Sequence, residues 1–140
     1  MSLTGKWKGY YEYGYGYGLE QFGKKVVIAL QLTDDDGSVS GTCEEEKSSI
    51  AVDLVSNIQG FYEDRVLSFV KTYPKLPILN EQNEIVYNEG TQEVEHVGEI
   101  TDDSEKLFGK WTIYNQFIGE DDRAYEYATE GIWFLERMEE

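Results

Sequence analysis

The candidates for a thiol nucleophile and its base are the one cysteine of this chain, Cys43, and its one histidine, His96, whereas choosing a carboxylate pair for acid–base chemistry among the 28 Asp and Glu residues requires geometry. A thiol beside an imidazole base could form a nucleophile, but no third group that would orient the base can be identified. A single histidine cannot build a multi-histidine metal site, so His96 is either a hydrogen-bonded core residue or a group that faces a ligand. Enzyme activity is therefore uncertain and ranks third among the interpretations, and no catalytic residue or cofactor is predicted.

Two acidic runs, Asp34-Asp35-Asp36-Gly37 and Glu120-Asp121-Asp122, could collect calcium. Neither has the alternating donors of a calcium loop that ends in a bidentate glutamate, so both are interpreted as solvated turns and no metal site is predicted. The run Gly14-Tyr15-Gly16-Tyr17-Gly18 resembles a phosphate-binding loop only superficially, because no helix follows it to supply a dipole.

Aromatic residues are more informative, since tyrosine accounts for 11 residues and tryptophan for 3. Each buried hydroxyl or indole N–H needs a partner, so these polar-tipped rings suit a partly wet cavity better than a dry core. The rings expected to point inward are Trp7, Tyr11, Tyr13, Trp111 and Trp133. The residues expected to fix the polar end of a ligand are Lys71, Tyr73, His96 and Arg137. The alternative is that Tyr15 and Tyr17 lie at a rim while the other rings simply fill the interior.

Alternating apolar residues predict the strands that position these side chains. The first runs from Gly5 to Gly18, with its odd-numbered aromatic residues on one face. Further strands are predicted at 24–33, 38–45, 49–58, 65–73, 84–87, 91–100, 106–114 and 129–138. A loop with two prolines at 74–83 cannot be a central strand, and Asn88-Glu89-Gly90 is either a tight hairpin or a glycine bulge.

These elements predict an all-β fold, because no segment of useful length has the apolar spacing of a helix. Short loops favour pairing between successive strands, and an antiparallel up-and-down barrel of about eight to nine strands removes its own edges by closing. Residues 1–140 are predicted to form a single domain. Such a barrel encloses either a packed interior or one small ligand.

Gly5-x-Trp7 at the start of the first strand, with Arg137 near the end of the last, resembles the calycin superfamily of lipocalins, fatty-acid-binding proteins and avidins. More of the chain resembles a lipocalin-like barrel family of largely uncharacterised bacterial and fungal proteins, which is also found in some F-box proteins. The similar motifs are Gly5-Lys-Trp7-Lys-Gly9-Tyr-Tyr11, Val39-Ser-Gly41-Thr, Phe69-Val-Lys71-Thr-Tyr73-Pro74, Val86-Tyr87 and Gly109-Lys-Trp111. The resemblance implies a barrel that binds a small molecule or a peptide terminus, and a terminal arginine that crosses one end over the first tryptophan.

Charge and cysteine content limit the partners and the compartment. Lys and Arg number 12 against 28 Asp and Glu, which gives a net charge of −16 and opposes binding to nucleic acid or to anionic membranes. No apolar run is long enough to span a membrane, and one cysteine permits no internal disulfide. The expected localisation is cytoplasmic, unless Met1-Ser2-Leu3 stands in place of a removed leader.

Two functions from different classes follow from the sequence. The first is a binding module that holds a small, partly apolar ligand. An inward Lys71 without a partner would either reach solvent at the mouth or await an anionic group, so a carboxylate-bearing ligand is preferred. The second is a packed barrel that acts as a protein-interaction or structural module through its exterior and the 74–83 loop. Interior volume distinguishes them, whereas ligand identity and oligomeric state are left open.

Overall fold

The computed structural model describes residues 2–14, 16, 19–47, 51–79, 81–82 and 84–138, and their fold is all-β. These residues contain ten strands: β1 (Gly5–Tyr13), β2 (Lys25–Asp35), β3 (Ser38–Glu45), β4 (Ser56–Glu63), β5 (Val66–Tyr73), β6 (Leu76–Leu79), β7 (Ile85–Asn88), β8 (Gln92–Ile100), β9 (Lys106–Ile118) and β10 (Ala124–Arg137). Eight strands form a closed antiparallel barrel in the order β1-β2-β3-β4-β5-β8-β9-β10, and β10 pairs back onto β1. The predicted up-and-down barrel is confirmed, with β6 and β7 as a separate hairpin.

Strand β2 illustrates why these residues form a barrel wall. Every second residue from Val26 to Leu32 is buried and the intervening ones are exposed, as period-two alternation predicts. Asp36 and Gly37 then turn the chain with φ values of 50° and 92°. Positive φ at both central residues is typical of the type I′ turn, whose twist matches that of the flanking strands. Tight turns of this kind place successive strands side by side.

The closed end of the barrel is the end where the chain turns at residues 36–37, 64–65 and 101–105. Leu3 is fully buried there, and its carbonyl accepts the indole N–H of Trp7 at 2.9 Å. The guanidinium of Arg137 lies over the Trp7 ring at 4.4 Å and donates to the carbonyls of Ser2 and Thr4 at 3.1 and 3.3 Å. The predicted contact between Arg137 and Trp7 is present, and it plugs this end of the barrel.

The open end is formed by the described residues of the connections at 14–24, 46–55, 74–91 and 119–123. Strand β1 ends there at Tyr13 instead of continuing to Gly18, because the loop folds back onto its last residue. The Tyr13 N–H donates to the Lys24 carbonyl at 2.9 Å, and the Tyr13 carbonyl accepts the Gly23 N–H at 2.8 Å. Tyr15, Tyr17 and Gly18 lie outside the described residues.

The bounds of the strand predicted at 49–58 are wrong, since the strand in this region is β4, Ser56–Glu63. Residues 51–55 form a connection whose backbone is held by side chains. The Val52 N–H donates to the Glu45 carboxylate and the Asp53 N–H to the Tyr87 hydroxyl, both at 2.7 Å. Alternation of apolar residues in this segment therefore does not reflect strand pairing. Ser49 and Ile50 lie outside the described residues.

The loop predicted at 74–83 contains strand β6, which pairs with β7 outside the barrel sheet. The flanking register pairs are Tyr73 with Gln92 in the barrel and Leu76 with Asn88 in the hairpin. Residues 74–75 therefore face residues 89–91, one residue more, as in a bulge. This register agrees with the bulge alternative for residues 88–90 and not with a tight hairpin between β7 and β8. The β6–β7 hairpin continues the β5–β8 pair beyond the rim, and Asn80 and Asn83 lie outside the described residues.

Strands β9 and β10 are longer than predicted, because they remain paired up to Ile118 and Ala124. The turn predicted at Glu120-Asp121-Asp122 lies in the 119–123 connection between them, where the Gly119 N–H donates to the Arg123 carbonyl at 2.9 Å. Within the described part of the chain, no helix is long and apolar enough to cross a membrane.

Candidate functional site

A cavity of about 290 Å³ lies in the open half of the barrel. Its barrel walls come from β1, β5, β8, β9 and β10, and the β6–β7 hairpin borders it with Pro77, Ile78 and Ile85. The hairpin extends past the rim and lies against the cavity, so the cavity is bounded by both the barrel and an element outside it.

Six of the nine residues predicted to contact a ligand line this cavity: Tyr11, Tyr13, Lys71, Tyr73, His96 and Trp111. The other three, Trp7, Trp133 and Arg137, do not line it. Trp7 and Arg137 belong to the plug at the closed end. Trp133 is buried against Phe69 and His96, with ring centroids 5.7 and 5.9 Å apart, and its indole N–H donates to the Lys110 carbonyl at 3.1 Å. The predicted set is therefore divided between the two halves of the barrel.

A buried carboxylate, Glu45, organises the polar side of the cavity, although Glu45 is not among the residues that line it. Its side chain is 1% exposed and accepts hydrogen bonds from the Tyr11 hydroxyl at 2.6 Å, from the Val52 N–H at 2.7 Å and from the Tyr73 hydroxyl. The Lys71 ammonium, on a side chain that is 4% exposed, lies 3.7 Å from the same carboxylate. It also lies over the Tyr11 and Tyr73 rings, 4.8 Å from each centroid. The charge of Lys71 is therefore compensated within the protein.

The titration of the hydroxyls in this cluster agrees with their role as donors. Burial raises the pKa of Tyr11 well above its ordinary value, and the nearby Tyr73 and Glu45 raise it further. Burial and then Glu45 raise the pKa of Tyr73 in the same direction. Both phenols therefore stay protonated and donate hydrogen bonds to the carboxylate. Burial also raises the pKa of the Cys43 thiol, which favours its protonated, unreactive form.

His96 lies opposite Phe69 on β5 and Trp111 on β9 in the register of the sheet. Its ring stacks on Phe69 with centroids 4.4 Å apart and an interplanar angle of 15°. Its Nδ1 lies 3.1 Å from the Val94 carbonyl oxygen. Burial, and then the positive charge of Lys71, lower the pKa of His96 well below its ordinary value, so the imidazole is neutral.

Trp111 forms the aromatic wall of the cavity and is held at both edges. Its indole N–H donates to the Glu12 carbonyl at 3.1 Å, and its ring meets Tyr11 and Tyr13 edge to face at 6.2 and 6.3 Å. Gly131 on β10 is directly opposite, where an added Cβ would come within 2.4 Å of the Trp111 ring. A glycine at this position lets the indole lie close against the neighbouring strand.

Several residues of the site were missed from the sequence. Val94 and Ile113 share the parity of His96 and Trp111, so alternation could have identified them. Glu45 shares the parity of Val39 and Cys43 on β3, but it stands in an acidic run that is typical of a solvated segment. Parity along a barrel strand could not identify the hairpin residues at 77, 78 and 85, because their position at the cavity depends on the pairing of β6 with β7 outside the barrel.

No model of a known protein family matches the chain, and no curated protein matches it. The class that the fold and the cavity define is an eight-stranded, closed, antiparallel β-barrel, plugged at one end and hollow at the other.

Proposed function

We propose that this protein is a calycin-like binding module, which holds a small, partly apolar ligand in the cavity at the open end of its barrel. The observation that carries the proposal is the cavity itself, about 290 Å³ in volume, with apolar walls and a few convergent polar groups. Binding sites for small molecules usually have this composition, and their volumes begin at roughly 300 Å³. The ligand is therefore expected to be smaller than a typical drug molecule.

The chemistry of the walls supports a ligand with both apolar and polar parts. Tyr13, Trp111 and Ile113 offer rings and methyl groups to the cavity, while Lys71 and His96 offer polar atoms, and His96 lies beside Trp111 in the register of the sheet. Glu45 accepts hydrogen bonds from the Tyr11 and Tyr73 hydroxyls and forms an ion pair with Lys71, so these polar groups are held in position before a ligand arrives. Preorganisation of this kind lowers the free-energy cost of binding.

The plug at the closed end supports the calycin assignment. An arginine near the end of the last strand lies over a tryptophan in the first strand, and this pair is the feature that the resemblance implies. The contact occurs between strands that meet only on closure of the barrel.

Ligand binding can be tested with thermal shift and tryptophan quenching against a panel of fatty acids, aromatic acids, aromatic alcohols and peptides with free C-termini. A ligand at 100 times its Kd stabilises the folded protein by about 2.7 kcal/mol, which is readily measured. We expect at least one class to raise the Tm and to quench emission from Trp111.

A pair of variants on β8 shows whether binding takes place in the cavity. Val94→Phe fills the cavity wall, whereas Val97→Phe makes the same change on the exposed face of the strand, where Val97 is 50% exposed. The first should abolish the effect of the ligand and the second should retain it. If no class stabilises the wild-type protein, or if both variants respond equally, the proposal is wrong.

The second candidate is an interaction module, and one observation favours it. Leu19 and Phe22, in the loop after β1 at the open end of the barrel, are 92% and 59% exposed. Exposed apolar groups that cluster near one another mark interaction sites in many proteins. Failure of the ligand panel together with self-association that Phe22→Ser abolishes would favour this function.

A further inference from the structure

The orientation of His96 is fixed on every side by its neighbours. The ring is stacked on Phe69, tilted against Trp133 and only 4% exposed, and it lines the cavity. Because Nδ1 is turned back toward the backbone of its own strand at Val94, Nε2 lies at the tip of the inward-pointing side chain. A polar atom is thereby presented to the cavity at a defined position.

The hydrogen bond at Nδ1 also determines which nitrogen carries the proton. A carbonyl oxygen can only accept, so Nδ1 must carry the hydrogen that it donates to Val94. In a neutral imidazole the other nitrogen then has a free lone pair and acts as an acceptor. Nε2 has no hydrogen-bond partner among the described residues. The interactions of His96 with these residues are the Nδ1 hydrogen bond, the ring contacts and the nearby charge of Lys71. A lone pair that faces the cavity and has no partner in the protein favours an incoming donor.

The remaining polar groups make a second anion unfavourable. Glu45 already compensates Lys71 and accepts the Tyr11 and Tyr73 hydroxyls. A ligand carboxylate beside Lys71 would bring a second negative charge close to Glu45, and like charges in a buried site repel strongly. A neutral hydroxyl or N–H group has no such cost.

We infer that the cavity takes a neutral ligand with a hydroxyl or N–H group that donates to Nε2 of His96, while its apolar part lies against Trp111 and Tyr13. This inference rests on the proposed function and narrows it to a ligand class. It replaces the carboxylate that the sequence favours, because that preference assumed that Lys71 has no partner.

Three probes of similar size separate the possibilities: benzyl alcohol, which has a donor, benzyl methyl ether, which has none, and benzoate, which is an anion. The wild-type protein should bind the alcohol about tenfold more tightly than the ether, which corresponds to one hydrogen bond at about 1.4 kcal/mol. Benzoate should bind more weakly than the alcohol. Equal affinity for alcohol and ether, or tighter binding of benzoate, would overturn the inference while leaving ligand binding itself intact.

The single histidine makes a direct measurement possible, because protein labelled with ¹⁵N-histidine gives one pair of ring signals. The free protein should show an unprotonated Nε2 whose signal moves when the alcohol is added and not when the ether is added. In His96→Phe, which keeps a ring on Phe69 and removes the acceptor, both probes should bind with equal affinity. Failure of every probe to bind the wild-type protein counts against the proposed function instead, and an Nε2 that carries the proton counts against this inference alone.

Discussion

Glu45→Gln should be one of the most destabilising single substitutions in this protein. The variant leaves the Lys71 ammonium buried without an anion, although the side chain of Lys71 is only 4% exposed. Removing one partner of a buried ion pair typically costs about 3–5 kcal/mol, against a total stability of about 5–15 kcal/mol for an ordinary domain. Lys71→Met should cost less, because Glu45 then keeps hydrogen bonds from Tyr11, Tyr73 and the Val52 N–H.

The double variant Glu45→Gln/Lys71→Met provides the decisive comparison. Since it removes both charges, its loss of stability should be smaller than the sum of the two single losses by about 1–3 kcal/mol. The measurement is urea unfolding followed by tryptophan fluorescence, with unchanged m values as the check that each variant unfolds in the same manner.

A surface pair provides the matched control. Lys110 and Glu130 form a cross-strand ion pair at 3.1 Å, shorter than the buried pair, but their side chains are 53% and 48% exposed. The cycle of Lys110→Met and Glu130→Gln should give a coupling of only about 0–1 kcal/mol because water screens the charges. The reasoning is that burial, and not the distance between the charges, determines the coupling energy of an ion pair. It is refuted if the coupling energy of Glu45 and Lys71 is no larger than that of the surface pair, or if the stability losses of the two single variants add up to that of the double variant.

Three further outcomes are expected. The pKa of His96 is lowered in the folded protein, so below pH 6.5, its ordinary pKa, the unfolded chain binds a proton that the folded protein does not. As the pH falls, the unfolding free energy of the wild-type protein should therefore decrease more steeply than that of His96→Phe, by up to about 1.4 kcal/mol per pH unit. Urea midpoints of the two proteins that run parallel from pH 7.5 to 5.5 would contradict this. Arg137→Ala uncovers the Trp7 ring, so it should lower the unfolding free energy by about 0.5–2 kcal/mol and red-shift the emission, whereas an unchanged Tm would rule out a closure role. Gly131→Ala should cost about 1–3 kcal/mol and shift Trp111 emission, because the new methyl group meets both the Glu12 carbonyl oxygen and the indole, and wild-type stability and emission would exclude this overlap.

Much of the barrel could be predicted because period-two alternation is a local property. The inward face of β2 follows from the alternation of Val26 to Leu32, and these residues are buried, whereas both faces of β5 are half apolar and the structure decides that the face from Leu67 to Tyr73 points inward. Strand β7 matches the strand predicted at 84–87, but its pairing with β6 could not be predicted in this way, since a four-residue strand with a proline carries little alternation. Segment 51–55 misled the prediction because its apolar residues alternate while its backbone is held by Glu45 and Tyr87.

The site was only partly predictable for a related reason. Parity placed Lys71 inside the barrel, but the partner that makes its burial tolerable comes from β3, which does not pair directly with β5. Parity also placed Trp7 and Trp133 inside, yet it cannot give the height of a residue along the barrel axis relative to a cavity. Whether an inward ring fills the core or lines a cavity depends on that height.

The pairing of β1 with β10 has a consequence for the order of events in folding. Thr4 and Arg137, which hydrogen-bond at the closed end, are 133 positions apart in the chain. At a synthesis rate of about 5–20 residues per second, β1 waits roughly 7–27 s on the ribosome before β10 exists. Until then one edge of an aromatic strand has no partner, and such edges promote aggregation. Pairings so distant in sequence are also slow to form, so barrel closure is expected late in refolding. The change in Trp7 emission when Arg137 covers the ring is the fluorescence signal that reports closure.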